Sequence, residues 1–165
     1  MDTIISYLDL LNDARKEAII AYHNKNLALI NKAQGSSHNH QVWEGGYGDH
    51  IEECLKIAHN LFHSLQAIRP LPFSLDSSII VLYFHDIEKM YKYTSGAVID
   101  KDKYYNITLP AQGIFFTEEE KNALTYIHGE GADYASEMRT MNSLAAFCHV
   151  VDTISSRIWF DQGRH

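Results

Sequence analysis

Apolar residues recur at helical spacing along most of the chain. Ile4, Leu8, Leu11, Ile19, Leu27 and Ile30 predict a helix over 3–31. A second is predicted over 48–68. With His50 set at 0° and each residue stepped by about 100°, Cys54, Ala58, Leu61, Leu65 and Ile68 fall within about 80° on one side. His50 lies at the edge of that stripe. Residues 75–92 predict a third helix, opened by Ser74 as N-cap. Its run IIVLYF is apolar nearly all round, which marks it as the buried central helix. Pro70 and Pro72 separate it from the second. TEEE at 117–120 has the form of a capping box and starts a fourth helix, which Gly129 and Gly131 end. Residues 137–160 form the last. Between the third and fourth, residues 93–116 carry Gly96, Pro110 and Gly113 among β-branched and Tyr residues, and predict a long loop or a short hairpin. The pattern implies one all-α domain over 1–165, a bundle of about five to seven helices with one excursion.

Composition narrows the function classes. The chain is 45% hydrophobic, enough for a core and too much for a disordered polymer. Its net charge is −7 and no long basic tract occurs, so it offers no extended nucleic-acid surface. No stretch reaches 18 apolar residues and the start has no basic n-region, which predicts a cytoplasmic protein with no membrane partner. Two cysteines, Cys54 and Cys148, make no disulfide framework and are expected to be reduced and partly buried. Ten histidines are many for 165 residues, and histidine is both the commonest metal ligand and the usual general base.

Their placement carries the chemistry. FHDIEKMYKY puts His85 and Asp86 side by side in the most apolar part of the chain. A buried, unpaired carboxylate costs several kcal/mol, so this pair needs a partner, and a divalent cation is the simplest one. The last helix offers a second acid in an apolar run, Asp152 in AAFCHVVDTISSR, and His50 offers a second imidazole. Two imidazoles and two carboxylates suit Mn, Fe, Co, Ni or Zn better than Ca, with Mg left open as a further identity for the ion.

The order His50, His85-Asp86, Asp152 resembles the HD superfamily of metal-dependent phosphohydrolases. FHDIEK is similar to the frequent HDIGK form, with Lys89 at its lysine and Glu88 at its glycine. HQVWEGGYGDH resembles the segment HHAYxGGLxxH of HD exoribonucleases and plasmid-associated HD proteins, matching at His40, Gly45, Gly46 and His50. The tail MNSLAAFCHVVDTISSRIW is similar to that of small stand-alone HD proteins of bacteria and phages. The resemblance covers roughly residues 38–158. It implies hydrolysis of a phosphate ester or anhydride of a small nucleotide by a metal-activated water, with His50, His85, Asp86 and Asp152 as ligands. Asp86 would also orient the water. Lys89, and more weakly Arg157, would offset phosphoryl charge, and His128 would serve as acid or base. His40, Trp43 and Glu44 become candidates for the substrate wall. One histidine between the HD pair and the last Asp favours one metal over two, although His128 with Glu130 leaves room for a second. The substrate stays open between a small nucleotide and a 3′-5′ exonuclease or cyclic-nucleotide phosphodiesterase substrate. A metal-bound sensor or interaction module stays open as well, as does a homo-oligomer.

Two further signals are set aside. HNLFH, with His59 and His63, has the i, i+4 spacing of a zinc helix, but both lie at about 180–220° from His50, off the apolar stripe. SHNHQ spells HNH, yet that nuclease motif is spread over a ββα unit which the chain does not show. Lys101, Lys103, Tyr104 and Tyr105 in the excursion could contact a base or phosphate, but their pattern favours a plain surface role. His149, three residues before Asp152, is expected to support the core or the ligands.

Overall fold

The computed structural model describes residues 3–38 and 40–159, so the final position of the predicted 137–160 helix lies outside the described residues. The described residues are helical, with no strand and a single antiparallel bridge between Ala135 and Met138. The order is α1 (Thr3–Leu8), α2 (Lys16–Ile30), α3 (Gly46–Ile68), α4 (Leu75–Phe84), α5 (Glu88–Ser95), α6 (Lys101–Lys103), α7 (Glu118–Tyr126) and α8 (Ser143–Arg157). Helices α3, α4, α7 and α8 pack on one another, while α1 packs on α2 and α3, and α2 on α5. No helix among these residues is long and apolar enough to cross a membrane.

Helix α4 is the centre of the bundle, as its all-round apolar run requires. Every residue from Ser78 to Phe84 is buried, and Ser74 caps it by accepting from the Ser77 N–H at 3.0 Å. Helix α3 buries Tyr47, His50, Ile51, Cys54, Leu55 and Ala58. The stripe that buries is thus rotated towards its N-terminal half, and Ile68 at the far end is 81% exposed. Thr117 and Glu120 close the capping box of α7 in both directions, at 2.9 and 3.2 Å.

Two predicted helices are interrupted, each for a visible reason. The 3–31 helix stops after Leu8 and restarts at Lys16. In between, the Asp13 carboxylate accepts from the Arg15 backbone N–H at 2.8 Å, a local alternative to the helical ladder. The turn aims Arg15 inward, where it donates to both oxygens of Glu120 at 2.7 and 2.9 Å and to Phe115 O at 2.6 Å. The 75–92 helix breaks at 85–87. Ile87 N–H bonds Phe84 O at 3.2 Å and Lys89 N–H bonds Asp86 O at 2.9 Å, three residues back rather than four.

The excursion at 93–116 is neither hairpin nor open loop. It consists of the end of α5, the single turn α6, a π-turn over Tyr104–Thr108 and a 3-10 turn over Pro110–Gln112. It folds back on the break. Tyr105 Oη donates to Phe84 O at 2.9 Å and Lys101 Nζ to His85 O at 3.1 Å, so two carbonyls weakened by the tightened turn gain partners. Lys101 and Tyr105 therefore support the break instead of meeting a substrate.

Glu120 is fully buried and Arg15 is 6% exposed. Glu120→Ala is expected to lower unfolding stability by about 3 kcal/mol, near the bottom of the range for breaking a buried pair because Asp13 still faces Arg15. Urea unfolding followed by far-UV circular dichroism measures it.

Candidate metal centre

Four side chains from three helical segments meet beneath one cleft. His50 stands on α3, His85 and Asp86 on the break after α4, and Asp152 on α8. Both imidazoles are fully buried, and the side chains of Asp86 and Asp152 are 2% and 12% exposed. His50 Nε2 and His85 Nε2 lie 3.4 Å apart. Asp86 Oδ2 is 3.3 Å from His85 Nε2 and 3.6 Å from His50 Nε2. Asp152 Oδ1 is 3.3 Å from His50 Nε2 and 3.5 Å from His85 Nε2. Residues adjacent in a regular helix point about 100° apart; the tightened turn is what lets His85 and Asp86 reach one point.

The loop before α3 sets the entry of His50. Gly45 takes φ 82°, and Gly46 packs so tightly that a Cβ there would lie 2.0 Å from Gln41 O. The glycines thus serve the fit of loop to helix, away from any substrate.

The far nitrogens of both rings are committed. His85 Nδ1 donates to Leu82 O at 2.7 Å, and His50 Nδ1 lies 3.0 Å from Ser155 Oγ. The Nε2 atoms therefore face the shared point with two carboxylate oxygens. Asp86 Oδ2 has no hydrogen-bond partner, although the Lys89 ammonium sits 2.5 Å away, close enough for an ion pair but not aligned to donate. Two nitrogens and two oxygens converging on one point, one oxygen without a hydrogen bond, form a donor set that fits a divalent cation of the first transition row. His50, His85, Asp86 and Asp152 are positioned to hold a metal ion, with Cys54 beside them. Cys54 Sγ lies 3.7 Å from Nε2 and 3.9 Å from Nδ1 of His50.

Without a cation, protons do the balancing. Burial pushes His50 down to about 4. Burial pulls on His85 too, but Asp86 and Asp152 outweigh it and hold the ring up at about 10. Burial would raise both carboxyls, yet His85 and His128 hold Asp86, and His128 with both imidazoles holds Asp152, well below the usual carboxylate range. His128 is raised to about 9 by Asp152 and Asp86. Its Nδ1 is 3.3 Å from Asp152 Oδ2 and its Nε2 3.5 Å from Asp86 Oδ1. Each carboxylate thus turns one oxygen inward and the other to His128.

The carboxylates form the floor of a cleft of about 230 Å³, walled by His40, Lys89, His128, His149 and Arg157 and completed by Thr153 and Ser156. No protein-family model, curated protein or solved structure matches the chain.

His50, His85, Asp86, Lys89, His128, Asp152, His40 and Arg157 are thus gathered at one place. Three candidates are not in the cleft wall. Trp43 donates from Nε1 to Asp49 Oδ2 at 2.6 Å, Glu44 is exposed, and Glu130 Oε1 accepts from Met141 N–H at 2.7 Å. Glu130 Oε1 is thus engaged with the backbone at Met141, away from the residues that line the cleft. His149 donates from Nδ1 to Ile127 O at 2.6 Å, a supporting role. His59 and His63 pair with each other at 4.7 Å between ring centroids, apart from the cleft. Cys54, Ser155, Thr153 and Ser156 were not anticipated at the site. The first two had a signal, being four residues from His50 and three from Asp152.

The pH dependence follows from these shifts. The raised pKa values of His85 and His128 add stability that is complete below about 6.5 and gone above about 10. The lowered His50 adds stability that is complete above about 6.5 and lost as pH falls through about 4. The metal-free protein is therefore expected to have its highest melting temperature near pH 6.5. Added Co(II) or Mn(II) should flatten the alkaline decline by replacing the protons, and differential scanning calorimetry with and without the ion reads both.

Proposed function

We propose that the chain is a metal-dependent phosphohydrolase of the HD kind that its motif order resembles, acting on the phosphate end of a small nucleotide. The observation that carries the reading is the buried His50, His85, Asp86 and Asp152 cluster opening through its carboxylates into a cleft rimmed by cations. A divalent cation bound there supplies an activated water and a Lewis-acid contact to a phosphoryl oxygen. Its two charges would offset the two carboxylates, which leaves Lys89, Arg157 and His128 facing the cleft. That is a local anion site on a protein of net charge −7.

The chain's own residues then divide the work. Lys89 and Arg157 hold the non-bridging oxygens and stabilise charge that grows in the transition state. Asp86 Oδ1, the oxygen turned to the cleft, accepts from the attacking water and orients it. His128, whose Nε2 lies 3.5 Å from Asp86 Oδ1 at the cleft, is the acid or base group for the reacting oxygens. A cleft of about 230 Å³ is smaller than the roughly 300–1,000 Å³ of sites that enclose a drug-sized ligand. It suits a phosphoryl group and its sugar, with the base at the rim, better than a bound oligonucleotide strand.

The test is a panel of nucleoside mono- and triphosphates with Mn(II), Co(II) or Zn(II), scored for phosphate, pyrophosphate and triphosphate release. Asp86→Ala is expected to abolish turnover with helicity retained. Lys89→Met should lower kcat/KM by roughly 10²–10³-fold. Wild-type turnover in Asp86→Ala overturns the reading. A blank panel from fully metal-loaded protein does so as well, and leaves a non-catalytic metal-bound module.

A further inference from the structure

One carboxylate outside the cleft is connected to two of its histidines. Glu53 stands on α3, three residues after His50. Ser155 Oγ donates to Glu53 Oε2 at 2.6 Å. That uses the only proton of the hydroxyl, so towards His50 Nδ1, 3.0 Å away, the hydroxyl can only accept. His50 therefore carries its proton on Nδ1, and its Nε2 lone pair faces the shared point. The second branch has the same logic. Gln41 Nε2 donates to Glu53 Oε2 at 2.8 Å, and since a carboxylate only accepts, the amide orientation is fixed. Gln41 Oε1 then faces His40 Nδ1 at 2.5 Å as an acceptor. His40 carries its proton on Nδ1 too, and Nε2 remains its acceptor in the cleft wall.

The backbone of Gln41 supports this. It is the one residue other than glycine with positive φ among those described, at 41°. Such a conformation is strained for a side-chain-bearing residue and persists only where its surroundings over-determine it. Here Gly35 N–H donates to Gln41 O at 2.8 Å, and Gly46 leaves room for that same oxygen. The loop is held so that one side chain spans His40 and Glu53.

We propose that Glu53 is a positioning residue for both histidines, fixing the Nδ1–H tautomer of the ligand His50 through Ser155 and of the cleft-facing His40 through Gln41. The inference rests on the metal-site reading above for its consequence, but not for its first readout. Groups that orient a metal-bound histidine typically contribute 10- to 100-fold to metal affinity.

The experiment uses ¹⁵N-histidine-labelled full-length protein without metal, with tautomers read from long-range proton–nitrogen correlation spectra at pH 8. Wild type should show Nδ1–H at both His50 and His40. Ser155→Ala should disturb His50 alone, Gln41→Asn His40 alone, and Glu53→Ala both. Glu53→Gln, which keeps an acceptor oxygen, should restore both. In parallel, calorimetric titration with Co(II) should show 10- to 100-fold weaker binding by Ser155→Ala and Glu53→Ala, with most of the loss recovered in Glu53→Gln. Unchanged tautomers in Glu53→Ala, or Co(II) affinity equal to wild type in both alanine variants, overturn the inference. The tautomer pattern needs no metal. A wild type that takes up no Co(II) therefore overturns the phosphohydrolase reading, while the spectra still decide this one.

Discussion

Two carboxylates held at one point in a helical core must be offset by positive charge, and much of the chain is arranged around that demand. Asp86 and Asp152 could not stay ionised beside Phe84, Cys54 and Val151 unaided. The offset comes in layers. His85 lies below them, His128 above, and Lys89 at the side, each within 3.5 Å of a carboxylate oxygen. A cation at the centre does the same work with one particle, and it releases Lys89 and His128 to face an incoming anion. The same charges that keep the metal-free core tolerable are those that line the cleft.

The geometry that makes this cluster is set by interruptions in helices rather than by the helices themselves. The break after Phe84 brings adjacent His85 and Asp86 to one point, and the left-handed turn at Gly45 starts α3 so that His50 enters the core. The turn at Asp13 sends Arg15 to Glu120, which ties the N-terminal segment to the start of α7 across 105 positions. Each of these is a local departure from regular structure, stabilised by a partner far along the chain.

That explains what the sequence made legible. Apolar spacing located α3 and α4, the Ser74 and Thr117 caps marked the starts of α4 and α7, and acids or imidazoles within apolar runs marked His85, Asp86 and Asp152. These signals are local in sequence. The breaks at 9–15 and 85–87 were not legible, because apolar periodicity continues across them and only Glu120, Tyr105 and Lys101 reveal why the chain departs from it. Trp43, Glu44 and Glu130 stand outside the cleft lining for a related reason: closeness in sequence to His50 or His128 says nothing of which way each side chain turns. Glu53 and Gln41 carry no motif at all, and their roles depend on hydrogen bonds that form only once α3 and α8 are packed.

The excursion after α5 bears on how this chain tolerates change. Gly96 has open space around it and Val98 is 94% exposed, whereas Lys101 and Tyr105 a few positions later hold Phe84 O and His85 O. Residues 96–98 are thus a slack tether, and 99–105 an anchor in fixed register, with Ile99 packed on the core and Asp100 accepting from the Lys103 N–H at 3.1 Å. Length can vary in the first without cost to the site, since loop closure grows only slowly with added residues. A single deletion in the second would shift the anchor and loosen the turn that carries two ligands. Drift and grafting have a permitted zone and a forbidden one, separated by a single residue boundary.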